Sequence, residues 1–179
     1  AQTLDGGTVR FEASGAANAS ALSAAWDLPL LDHVSGSADW KAQIDIARAS
    51  TELRVESDLL GLTSSLPAPL NKNAAQAWPL RVHFDAPTAS PSMQLKLELA
   101  QWLRAEIEWP GAGAALRGGL ALNANADEAL PRAADGLLIT ARFDDFDAAA
   151  WRRVIDSAVP AAMTDESAPD GSGVDVNRG

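Results

Sequence analysis

The sequence predicts a mainly β fold, an antiparallel sheet of about eight one-sided strands with two short helices. Three observations predict it. Apolar and polar residues alternate with period two over segment after segment, the signature of strands with one buried face. The helical period of 3.6 occurs in only two short places. The segments are joined by short connections, which makes neighbours antiparallel.

In chain order, Val9, Phe11 and Ala13 alternate with Arg10 and Glu12. Asn18 is an N-cap for a helix over Ala19 to Trp26, rich in Ala and Leu, and Pro29 limits its run. A short second turn passes through Leu30, Leu31 and Val34 and ends at Gly36. Trp40, Ala42, Ile44 and Ile46 then alternate with Lys41, Gln43 and Asp45, and Leu53 and Val55 with Arg54 and Glu56. The apolar run after Ser57 ends in Pro67 and Pro69, which fix their own φ, push Leu66 and Ala68 into extended backbone and forbid a helix.

Leu80, Val82 and Phe84 alternate with Arg81, His83 and Asp85; Met93, Leu95, Leu97 and Leu99 with Gln94, Lys96 and Glu98. Leu103, Ala105, Ile107 and Trp109 alternate with Arg104, Glu106 and Glu108, and Leu120 and Leu122 carry the pattern past a turn at Gly111 to Gly113. Asp147 caps a second helix over Ala148 to Ala158, with Trp151, Val154, Ile155 and Ala158 on one face. A repeat shows here. Val9 to Leu22 and Leu138 to Trp151 both read strand, polar link, capping residue and Ala-rich helix.

The chain has 179 residues and suffices for one domain, assigned to 1–163. From 164 to 179 the composition turns to Asp, Glu, Ser, Gly and Pro, an acidic tail too poor in apolar residues to order itself. A start that is not Met and a polar last stretch suggest a piece of a longer polypeptide. With 24 acidic against 14 basic residues, binding a phosphate backbone is disfavoured, and nucleic acid is not an expected partner. No run reaches the ~18 apolar residues of a membrane span, so any anchor lies outside this sequence. There is no cysteine, hence no disulfide and no thiolate metal site.

No catalytic constellation is readable. His33 and His83 are far apart, and His83 falls on the polar side of a strand. Asp144, Asp145 and Asp147 lack the spacing, Gly and terminal Glu of a calcium loop and read as capping and solvated residues. Ser14, Ser57 and Ser92 sit in no nucleophile elbow, and Gly111, Gly113, Gly118 and Gly119 in no phosphate loop. The expectation is a protein without catalysis, metal or cofactor. The six tryptophans read as core, or as the rim of a groove where a ring is apolar at one end and wet at the other.

About eight one-sided strands need a cover that two short helices do not supply. A second sheet, a trough curled around the helices, or an apolar ligand in that trough would each provide it. The residues expected to share the apolar surface are Trp40, Ile44, Ile46, Leu53, Val55, Leu80, Val82, Phe84, Leu95, Leu97, Ile107 and Trp109.

Two stretches carry more than pattern. Gly36-Ser37-Ala38-Asp39-Trp40-Lys41-Ala42-Gln43-Ile44-Asp45-Ile46, and Leu53-Arg54-Val55-Glu56 running on through Ser57-Asp58-Leu59-Leu60-Gly61-Leu62 to Ser65-Leu66-Pro67-Ala68-Pro69-Leu70, together resemble the YhdP family of AsmA-like envelope proteins of Gram-negative bacteria. The resemblance is densest from Gly36 to Val82. It implies an extended, curved antiparallel sheet forming a groove, with the two short helices against its concave face, in a periplasmic segment of an inner-membrane-anchored protein similar to bridge-like lipid transfer proteins. Phospholipid acyl chains would then be its partner, carried between inner and outer membranes along the groove, and the residues named above would line it. The alternative from the residues alone is a closed β-sandwich, a structural or carbohydrate-binding module of an exported protein.

Overall fold

The computed structural model describes residues 2–4, 7–26, 29–111, 113–123, 128–133, 135–143 and 146–158. The expected acidic tail, 164–179, lies outside them, as do Asp144 and Asp145. The strands are β1 (Gln2–Leu4), β2 (Thr8–Asn18), β3 (Val34–Ile46), β4 (Ser50–Ser57), β5 (Leu62–Ser64), β6 (Leu80–Pro87), β7 (Met93–Leu99), β8 (Leu103–Trp109), β9 (Arg117–Leu122) and β10 (Gly136–Ala141). The helices are α1 (Ala19–Trp26) and α2 (Ala148–Ala158), with a 3₁₀ turn over Pro29–His33.

All strands belong to one open, mostly antiparallel sheet, in the order β1-β2-β3-β4-β6-β7-β8-β9-β10, with β5 off this path and paired to β3. Where the polar link is a tight turn, as at β3–β4 and β7–β8, sequence neighbours become antiparallel neighbours directly. Ala47 N–H bonds Ser50 O across the β3–β4 turn, and Trp102 N–H bonds Leu99 O across β7–β8. The last pair departs from the expected pattern, for β10 runs parallel to β9. A parallel neighbour requires a crossover, which residues 123–135 provide. The second turn also forms differently. It is a 3₁₀ turn that ends at His33 instead of running to Gly36, and Val34 already belongs to β3.

One bulge shapes the β3–β4 hairpin. Trp40 pairs with Ser57, and Gly36 pairs with Leu62, so Ser37, Ala38 and Asp39 face the run Asp58 to Gly61, one residue longer. An extra residue on one strand bends the ribbon there. Gly36 and Gly61 have φ of 95° and 93°, and a Cβ on Gly36 would overlap the carbonyl oxygen of Gly61. Only glycine fits this approach. Beyond the bend, β5 leads into the proline loop, which the buried ammonium of Lys72 holds through Leu62 O at 2.8 Å and Asn73 O at 3.2 Å. Burial pushes the Lys72 pKa down.

Both helices lie at the end of the sheet where β2 and β10 finish. The Asn18 carboxamide oxygen accepts the Ser20 N–H at 3.0 Å, and an Asp147 carboxylate oxygen accepts the Ala150 N–H at 2.8 Å, so the two expected caps start α1 and α2. α1 packs on β2, β3 and the 3₁₀ turn; α2 packs on the same 3₁₀ turn. Trp151 Nε1 donates to Ala68 O at 3.0 Å, fixing α2 to the proline loop. The buried apolar residues are small or scattered: Ala19, Ala38, Leu66, Ala105, Ala121 and Val154. Among the described residues no large side chain is fully buried and no second sheet covers the first. The closed sandwich is therefore not the architecture that forms.

Candidate functional site

Strand register decides which side chains share a face, because residues directly opposite one another point the same way. Phe11 pairs with Ile44, Ile44 with Leu53, Leu53 with Phe84, Phe84 with Leu95, and Leu95 with Ile107. The row continues through Gly118 to Leu137 on β10. A second row runs Ala13, Ala42, Val55, Val82, Leu97, Ala105, Leu120, Ile139. Gly15, Trp40, Ser57, Leu80, Leu99, Leu103, Leu122 and Ala141 make a third. Ile46 pairs with Val9, and Trp109 with Met93, at the opposite margin.

Every residue that alternation assigned to one surface, from Trp40 to Trp109, thus lies on one face of one sheet. Sequence reasoning left out Val9, Phe11, Met93, Leu99, Leu103, Leu120, Leu137 and Ile139, which extend the same face. The alternation of Val9 and Phe11 with Arg10 and Glu12 was signal enough; on β10, Leu138 hides the alternation of its neighbours. The surface is broad. Seven steps of about 4.8 Å from β2 to β10 give about 34 Å, against roughly 15 Å for the half of a bilayer core that one phospholipid fills.

It is also uncovered. Phe11 is 43% exposed, Ile44 37%, Ile46 44% and Ile139 60%, where a packed face would hide such side chains. At the edge the Trp40 indole lies over Gly15, close enough that an added Cβ there would just touch the ring. Trp78 and Trp102 meet as tilted rings with centroids 5.7 Å apart beyond the β6 and β7 ends, and Trp151 stacks on Phe146 at 6.4 Å.

The crossover explains why the apolar face stays open, since it passes over the other one. A Cβ on Gly119 would overlap the carbonyl oxygen of Pro131, so this link lies against the polar side of β9. Arg132 from the link bonds Glu106 at 2.6 Å, and Arg104 donates to Glu128 O at 3.0 Å. The polar face is a ladder of cross-strand ion pairs: Arg10 to Asp45 at 2.6 Å, Arg54 to Asp45 at 3.1 Å, Lys96 to Glu106 at 3.6 Å, Arg117 to Glu108 at 2.8 Å. Hydrogen bonds from Arg10, Arg132 and Arg117 hold the carboxyls of Asp45, Glu106 and Glu108, respectively, below the ordinary range. Glu52 and His83 are 3.7 Å apart on this face, as the alternation required of His83. Such exposed pairs add little stability each. Their effect is orientation, because a face crowded with fixed charges meets water and the charged crossover, and the apolar face is the one left uncovered.

The YhdP family model matches residues 1–179, the whole chain. The chain belongs to the YhdP family. YhdP proteins are AsmA-like envelope proteins, and the sheet described above is the fold of this YhdP segment. Comparisons with curated proteins and with solved structures gave no match. Among the described residues of this YhdP chain, no helix is long and apolar enough to cross a membrane.

Proposed function

We infer that this chain is a lipid-carrying segment of a periplasmic protein held at the inner membrane by an anchor elsewhere. The sheet curves into a trough, and phospholipid acyl chains lie on its apolar face while passing between inner and outer membranes. The observation that supports this reading is the unbroken run of apolar residues across eight strands, left uncovered while the one crossover passes over the opposite face. Shielding each acyl CH₂ from water is worth about 0.8 kcal/mol, enough for a surface without any polar pocket to hold a chain.

The segment acts without a nucleophile, metal or cofactor. Carriage needs only a surface that binds every CH₂ group alike, so that a chain slides without meeting a trap. Native mass spectrometry of the protein purified from cells tests the reading: phospholipid leaving with the folded chain is the expected result, and a lipid-free spectrum under conditions that retain lipid on other carriers would oppose it.

A further inference from the structure

The apolar face is not open evenly. Its large exposed side chains on β2, β3 and β7, namely Phe11, Ile44, Ile46 and Met93, all lie in the half nearer the β3–β4 and β6–β7 turns. At the other end Trp40, Leu80, Leu99, Leu103 and Leu122 are half-buried. There the helices, the 3₁₀ turn and the proline loop stand against the sheet, and Ala19, Ala38 and Leu66 are buried. The face is thus easier to reach from the turns.

Charge divides the two margins in the same way. The turn segments 46–51, 86–93 and 110–116 hold one charged residue, Arg48, and no carboxylate, in a chain of net charge −10. Arg48 is exposed and has no ion-pair partner among the described residues. Its turn also carries Ser50 and Thr51, and the Thr88 N–H, bonded to Ala49 O at 2.8 Å, joins it to the turn bearing Thr88 and Ser90. The nearest carboxylates, Asp45, Glu52 and Asp85, lie together in one row on the polar face, and Asp135, farther along the same margin, acts on Arg117. The links at the helix end carry Asp32, Asp58 and Asp147, while the Lys72 ammonium there is buried and bound to backbone carbonyls. An anion is favoured at the turns and opposed at the helix end.

Resting on the lipid reading above, we propose that the turn margin is the headgroup side of the trough. The phosphate of a bound phospholipid lies at Arg48 and the neighbouring hydroxyls, and its acyl chains run along the strands toward Trp40. The dimensions agree. The six steps of β3 from Ile46 to Trp40 span about 20 Å, and the acyl layer of one leaflet is about 15 Å, so a tail that starts at the turns ends before the helices. A lipid so placed passes sideways from strand to strand with its headgroup in water.

The full chain loaded with phosphatidylglycerol carrying a diazirine, either at the end of an acyl chain or next to the glycerol, tests this, with adducts mapped by peptide mass spectrometry. The glycerol-side probe should label 46–51 and 86–93, and the chain-end probe 38–42 and 97–103. The reversed pattern, or one pattern for both probes, overturns the proposal and leaves lipid carriage standing. Folded protein without an adduct from either probe overturns both. Arg48→Glu should lower loading about fivefold at an unchanged melting temperature, and Arg48→Lys should keep it, because the exposed, unpaired side chain contributes little to the fold. Equal loading in all three chains, or equal loss in both variants, overturns the placement of the phosphate at Arg48.

Discussion

Gly119 lies directly beneath the carbonyl oxygen of Pro131, so close that a single added carbon would overlap it. This contact places the β9–β10 crossover on the charged face, which is why the apolar face has no lid. Gly119→Ala should therefore destabilise the chain by about 2 kcal/mol or displace the crossover, as overpacking against backbone does. Gly15→Ala is the matched control. Its added carbon would meet the Trp40 ring at 3.4 Å, ordinary contact, and its melting temperature should stay within a few degrees of the wild type. Equal losses in the two variants, read by thermal unfolding, would contradict this placement of the crossover.

An open face and a packed position respond differently to charge. Ile46→Asp puts a carboxylate on a side chain already 44% exposed, and the expected cost is about 1 kcal/mol of strand preference. Ala105→Asp, 5% exposed on the same face, should cost more than about 3 kcal/mol. Urea unfolding of both variants checks the contrast. If Ile46→Asp unfolds the chain as Ala105→Asp does, the face is covered.

The ion-pair ladder fixes a pH response. Asp45, Glu106 and Glu108 have folded pKa values lowered by Arg10, Arg132 and Arg117, so these carboxylates bind protons less readily folded than unfolded. Their contribution is present above the ordinary carboxylate pKa and is lost as pH falls through the lowered values. Stability should thus be flat near neutrality and decline in acid. Arg10→Leu should shrink that decline by removing the main partner of Asp45. An unchanged acid limb in Arg10→Leu would show that the pair does not contribute.

The bond from Trp151 to Ala68 gives a local prediction. Trp151→Phe keeps the ring and removes the N–H that donates at 3.0 Å, with an expected cost of about 1 kcal/mol. The loss should appear as faster amide exchange in α2, with the β6–β8 amides unchanged. Uniform loss across the sheet would mean that α2 contributes to the whole fold.

Much of this architecture was legible in the residues, and the reason is periodicity. Ile44, Leu53, Phe84, Leu95 and Ile107 each alternate with charged or polar neighbours, which assigns a face without knowledge of the register. Asn18 and Asp147 marked both helix starts because a side-chain acceptor before an Ala-rich run has few other uses. What stayed hidden depends on contacts distant in sequence. Nothing local marks β10 as parallel, since its pairing depends on the path of residues 123–135, and Leu138 breaks the alternation between Leu137 and Ile139. The bulge at Gly61 is set by backbone approach to Gly36 and Ser37, which composition does not encode. That the apolar face is bare also needed the structure, because alternation says which side chains share a face and not what lies on it.

Lipid carriage as proposed requires phospholipid on the apolar face and not on the charged one. A photo-crosslinking amino acid placed in cells at position 46 or 95, with position 41 or 96 as the polar-face control, tests it most directly. Phospholipid adducts are expected at 46 and 95 and none at 41 or 96. Folded protein without a lipid adduct at 46 and 95, or equal labelling on both faces, would contradict it.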